Sequence, residues 1–135
     1  MNKLWTKCTT ALLLAGVFGT AYADIAVVVG PNSDPLTKDQ LTNLYLGRTF
    51  DRKLVDLPEG APLRDQFYKK VTERDAAQMR AVWARVVFTG KGQAPLMLPD
   101  ADAVKKAVTT DPKAVGYIDK SQVDGTDRKS TRLNS

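Results

Sequence analysis

The sequence reads as an α/β protein, and three observations carry that reading. Runs rich in β-branched residues occur at 25–29, 53–57 and 114–118. The segments between them place apolar residues at helical rather than strand spacing. The two kinds of run alternate without internal repeats or low-complexity stretches, as expected where helices cover a sheet.

The elements follow in chain order. Ile25-Ala-Val-Val-Val29 ends at Gly30-Pro31 and reads as a buried strand. Asn32-Ser-Asp-Pro35 is loop. Thr37 and Gln40 stand at capping-box spacing ahead of a helix that puts Leu41, Leu44 and Tyr45 on one face and closes at Gly47. Lys53-Leu-Val-Asp-Leu57 is a second strand, and Pro58-Glu-Gly-Ala-Pro62 a turn. A helix over 63–71 carries Leu63, Phe67 and Val71 on one face. Asp75 then caps a helix over 76–88, where Met79, Val82, Trp83, Val86 and Val87 form a core-facing stripe. Phe88-Thr-Gly-Lys-Gly92 breaks that helix. It is not a nucleotide-binding P-loop, because the leading Gly and the Ser/Thr after Lys are missing. Residues 96–98 form a short strand. Asp100 or Asp102 opens a short helix with Val104, Ala107 and Val108, which Asp111-Pro112 ends before the third long strand at 114–118.

The two ends differ from this middle. Lys3 and Lys7 precede an apolar run at 11–19, and Ala21-Tyr-Ala23 follows as a small-x-small site. Residues 1–23 therefore read as a secretory signal peptide cleaved after Ala23, too short in its apolar part for a permanent span. Asp127-Arg-Lys-Ser-Thr-Arg-Leu-Asn-Ser135 matches, in register, the translation of a common short-read sequencing adapter. It is expected to be read-through and not native, so that the domain over 24–126 lacks its own C-terminus. A further native strand is expected after Asp119, and its loss predicts an unpaired sheet edge.

Removing the ends changes the charge. The chain carries 20 Lys and Arg against 15 Asp and Glu. Lys3, Lys7, Arg128, Lys129, Arg132 and Asp127 lie in the ends, so 24–126 holds 15 basic and 14 acidic side chains. Nothing here points to a nucleic-acid partner, which needs concentrated positive charge. There is no His, and the one Cys, Cys8, lies in the signal segment. The domain therefore has no disulfide, no imidazole base and no motif of metal ligands or cofactor binding. It also lacks a nucleophile motif such as G-x-S-x-G, and it does not read as an enzyme.

The order of these elements resembles the phosphate-binding proteins of ABC uptake systems, and more closely their short single-lobe relatives. The residues that carry the resemblance are Leu36-Thr37 through Leu41, Leu44-Tyr-Leu-Gly47-Arg48, Leu63-Arg64 with Phe67, Trp83 with Phe88 and Gly90, and Val104 through Val115-Gly-Tyr-Ile118. The resemblance implies export to the periplasm. It also implies a small sandwich like one lobe of a type-2 periplasmic binding protein, with a mixed sheet flanked by helices. Inorganic phosphate or a similar oxyanion is the implied ligand, with an ABC permease or other envelope protein as partner. The two-lobed members follow their Arg with a Ser-Gly-Thr/Ser loop, whereas Arg64 is followed by Asp65-Gln66-Phe67.

Oxyanions are held by N–H and O–H donors together with positive charge, which helix N-termini supply. Two such starts are expected here, after the 31–34 loop and at 62–65. Ser33 and Thr37 offer hydroxyls, Arg64 a bidentate guanidinium, and Asp65 or Asp34 an acceptor for the proton that phosphate retains. The expected function is an oxyanion-binding periplasmic protein of ABC-type uptake. The alternative is an interaction module derived from such a lobe that binds no ligand.

Overall fold

The structure, a computed structural model, describes residues 24–123 and 130–132. The expected signal segment lies outside these residues. Strand β1 (Ile25–Val29) is followed by α1 (Lys38–Tyr45), β2 (Lys53–Asp56), α2 (Pro62–Thr72) and α3 (Ala76–Phe88). Then come β3 (Leu96–Met97), α4 (Ala101–Thr110), β4 (Ala114–Asp119), a 3-10 turn (Lys120–Gln122) and β5 (Ser130–Arg132). The five strands lie in the order β3-β2-β4-β1-β5. β2 runs parallel to both β3 and β4, and β1 runs antiparallel to β4 and β5, so the sheet is mixed.

Local chemistry explains the helix starts. Thr37 and Gln40 form the expected reciprocal capping box on α1, and Asp75 forms one with Gln78 on α3. Asp100, rather than Asp102, caps α4 by accepting from the Ala103 N–H at 2.9 Å. α2 differs: Ala61 stands at its cap and Pro62 opens it, and no side chain caps the end. Gly47 follows α1 with φ +67°, and a Cβ there would come within 2.7 Å of Val86 Cγ2, so both the turn and the approach of α3 require glycine.

Helices cover both faces of the sheet. Tyr45 of α1 and Phe67 of α2 pack on Tyr117 of β4, with ring centroids 6.3 and 3.8 Å away. Trp83 of α3 donates its indole N–H to the Tyr45 carbonyl at 3.1 Å. On the opposite face Val104 of α4 sits over Gly116. All five β1 side chains are buried, as befits a strand covered on both faces.

Two expectations are corrected. Val87 lies outside the core, because the layer beneath α3 ends at Met79, Trp83 and Val86; Val87 is 51% exposed. The expected unpaired edge does not fall beside β1, since residues 130–132 pair with 26–28. Backbone N–H and C=O groups on an edge accept any extended segment whatever its side chains. Among the described residues the outermost strands are β5 on that side and β3 at the other end of the sheet.

Gly116 offers a direct check on this packing. A Cβ there would lie 2.6 Å from Cγ1 of the fully buried Val104. Gly116→Ala is expected to lower the unfolding free energy by about 1–3 kcal/mol through overpacking, measured by urea denaturation. An unchanged midpoint would mean that α4 does not pack on β4 in this way.

Candidate functional site

The densest polar chemistry lies inside the molecule. Asp56, the last residue of β2, is 2% exposed. Tyr68 of α2 and Tyr117 of β4 each donate a phenolic O–H to its carboxylate, and the Leu57 N–H donates to Oδ1 at 2.8 Å. The Nε of Arg64, a residue only 7% exposed, lies 3.4 Å from Asp56 Oδ1. The guanidinium sits over the Tyr68 ring, 4.8 Å from its centroid. Tyr45 completes the group by donating to the Val55 carbonyl at 2.8 Å, and it lies edge-on to Phe67. Burial, followed by the Asp56 carboxylate, pushes the pKa values of Tyr45, Tyr68 and Tyr117 well above that of a free tyrosine. Burial opposes the Arg64 charge, but Tyr68 and Asp56 outweigh it and hold the guanidinium protonated. The Asp56 carboxylate is thus satisfied by hydrogen bonds, whereas Nε and Nη1 of Arg64 are buried without a hydrogen-bond partner among the described residues.

The concave surface lies where the parallel strands end. A cleft of roughly 510 Å³ is bounded by the residues after β2, the starts of α2 and α4, and the 3-10 turn after β4. This is the end of an open α/β sheet where ligands are usually held. Leu63, at the uncapped start of α2, has an N–H without a partner among the described residues. Gln66 lines the cleft one turn on, and its side-chain oxygen is buried and likewise unpartnered. Asp100 and Asp119 also line it, each already accepting hydrogen bonds from its own turn, and no Lys or Arg is in the lining.

The structure separates the residues expected to bind an oxyanion. Arg64 and Asp65 stand together in the first turn of α2. Ser33 and Thr37 follow β1, which runs antiparallel to β4, and so they lie at the opposite end of the sheet. The Ser33 hydroxyl donates to the Pro112 carbonyl, just before β4, and the Thr37 hydroxyl accepts from the Gln40 N–H. The six residues of β4 place about 17 Å between the two ends, so one ion does not reach both pairs. Arg64 also departs from expectation, because its guanidinium turns inward to Asp56 rather than to the cleft. Sequence reasoning missed Asp56, Gln66 and Asp119. The polar position of Asp56 within an apolar strand was the available signal.

No protein-family model matches the chain, and no curated protein matches it. Five solved chains match its fold. One is an ABC-type phosphate transport receptor from Vibrio cholerae, with TM-score 0.59 and 19% identity over 81% of this chain and 45% of that one. Another is a protein assigned as a phosphate ABC transporter substrate-binding protein, solved with bound phosphate, from Clostridium perfringens. Its TM-score is 0.60, with 20% identity over 81% of this chain and 43% of that one. The chain spans less than half the length of either. The α/β fold of a periplasmic-binding-protein lobe, implied by the sequence resemblance, is borne out. Among the described residues no helix is long and apolar enough to cross a membrane.

The three buried tyrosines generate a pH prediction. Their folded-state pKa values lie above the unfolded value near 10, so the stability they carry is intact below about pH 10 and falls as pH rises beyond it. The loss should approach about 1.4 kcal/mol per pH unit for each tyrosine. Tyrosinate absorbance is expected to appear together with loss of circular dichroism. More tyrosinate at pH 10 in a folded protein than the single equivalent that Tyr22 can supply would contradict the buried cluster.

Proposed function

We propose that this chain is a periplasmic solute-binding-like protein that holds phosphate or a similar oxyanion at the start of α2, in association with an ABC-type permease. The observation that carries this reading is the uncapped end of α2. Leu63, whose N–H is free, lines the cleft together with Gln66, whose side-chain oxygen is buried and unpartnered. A half-turn of the Gln66 amide exchanges oxygen for nitrogen and presents a second donor to an anion. The helix dipole adds positive potential at the same point. Arg64 and Asp65 belong to this turn, but their backbone N–H groups donate to the Ala61 carbonyl at 3.1 and 3.3 Å and the Arg64 guanidinium turns to Asp56, so the anion meets Leu63 and Gln66 instead. Asp119 and Asp100 suit an acceptor for the proton of hydrogen phosphate, which sulfate lacks near neutral pH.

Magnitudes set the affinity. Two charge-assisted hydrogen bonds contribute roughly 3–6 kcal/mol, short of the roughly 8 kcal/mol that micromolar binding requires. A single lobe is therefore expected to bind weakly unless a second wall closes over the ion. The chemistry of the lining favours a second reading. Two carboxylates and no cation describe a lobe that serves as an interaction module without a ligand. In either reading we propose that residues 1–23 direct export and are removed after Ala23, and that residues 127–135 are not native. Intact mass from a periplasmic extract should place the first residue at Asp24; retention of 1–23 would refute cleavage there.

Calorimetric titration of the full chain with phosphate and sulfate tests the binding reading. Phosphate should give saturable heat that weakens in Gln66→Leu, while sulfate stays silent. A folded protein that gives no heat with either anion leaves the interaction module standing.

A further inference from the structure

Five large apolar side chains are exposed among the described residues, and they gather along one side of the molecule. They are Phe50 (44%), Val87 (51%), Phe88 (93%), Leu96 (61%) and Met97 (56%). Val87 and Met97 share one groove of about 330 Å³. Phe50, Leu96 and Met97 share another of about 760 Å³, and the Phe50 ring lies against Gly92. The strip follows the end of α3, the turn after it and the outermost strand β3.

Charge along the α3 and β3 part of this strip is one-sided, while at the Phe50 margin Asp51 and Arg52 are neighbours in sequence. From Ala76 to Pro99 the sequence holds Arg80, Arg85 and Lys91 and not one carboxylate. Arg80 is taken up by Glu59 at 3.2 Å, and Asp111 at the far margin by Lys53 at 2.9 Å. Arg85 and Lys91 have no carboxylate partner among the described residues. Arg85 and Phe88, three apart on α3, lie on the same helix face.

We infer that this edge docks onto an anionic lipid membrane, with Phe88 and Val87 entering the interfacial layer and Arg85 and Lys91 meeting headgroup phosphates. A second copy on the same surface would bring the unpaired cations of both chains together, a like-charge arrangement that disfavours association. A protein partner would need carboxylates placed against Arg85 and Lys91 individually, whereas a layer of anionic headgroups supplies negative charge at every lateral position. Phe88 is 93% exposed and lines neither groove, which suits insertion into a soft layer. This surface is separate from the cleft and does not depend on what the cleft binds.

The test is co-sedimentation of the full chain with vesicles containing phosphatidylglycerol and with vesicles of phosphatidylcholine alone. Binding is expected with the anionic vesicles only, and raising the salt concentration should weaken it. Lys91→Gln should weaken partitioning about fivefold, and Phe88→Ser about tenfold or more. Both residues are exposed, so circular dichroism should confirm that the variants stay folded. Three outcomes overturn the inference. The first is no vesicle binding. The second is binding untouched by either substitution, which places attachment elsewhere, as in the apolar 11–19 segment. The third is concentration-dependent dimerisation lost in Phe88→Ser without vesicle binding, which assigns the strip to a second copy.

Discussion

A carboxylate closed inside an apolar sheet constrains everything around it. Asp56 ends β2 with almost no access to water, and an unpaired charge there would cost several kcal/mol. That is a large part of the 5–15 kcal/mol by which domains of this size are stable. Three elements must therefore answer it: α2 through the Tyr68 O–H and the Arg64 charge 3.4 Å away, β4 through the Tyr117 O–H, and the chain itself through the Leu57 N–H. Tyr117 lies 61 residues from Asp56, so the carboxylate is satisfied only once β4 has docked beside β2. The parallel stack of Phe67 on Tyr117, with planes 4° apart, holds α2 and β4 in the register that this requires. The network thus couples the helical layer to the sheet more specifically than apolar contact alone.

The parts of this fold that were legible in the sequence are those decided locally. Thr37 with Gln40, and Asp75 ahead of α3, announced helix starts because a cap involves residues three apart. The three long strands announced themselves through their β-branched composition. What depended on distant partners was not legible. The stripe on α3 named Val87 along with Trp83 and Val86, but helical spacing does not say how far the underlying layer extends. Asp56 was visible as a polar residue in an apolar run, yet nothing local pointed to two tyrosines and an arginine. Ser33 had the composition of an anion ligand, and its hydroxyl is committed to the Pro112 carbonyl, 79 residues away.

Topology also decides what the cleft can hold. Because β1 is inserted antiparallel beside β4, the loop that follows it opens at the wrong end of the sheet to share an ion with α2. Only α2 and α4 begin at the carboxyl ends of the parallel strands. α4 is closed by Asp100, which occupies the donors that an anion would need. One helix start is left, and it is the one that opens with Ala61-Pro62 in place of a capping side chain.

The role of Arg64 follows from a competition between two anions. If its guanidinium swung out to the cleft, an exogenous oxyanion would gain a charge-assisted hydrogen bond contributing roughly 1.5–3 kcal/mol. Asp56 would lose its cation at a buried position, where removing one partner of an ion pair costs about 3–5 kcal/mol. The internal partner wins, and the arginine stays against Tyr68 and Asp56. The cleft is thereby left without a cation in its lining, which holds the free Leu63 N–H, Gln66 and two carboxylates. The unpaired cations Arg85 and Lys91 stand instead beside the exposed apolar strip of α3 and β3. Positive charge in this lobe therefore serves its core and its outer edge, and little of it reaches the position where a ligand would sit.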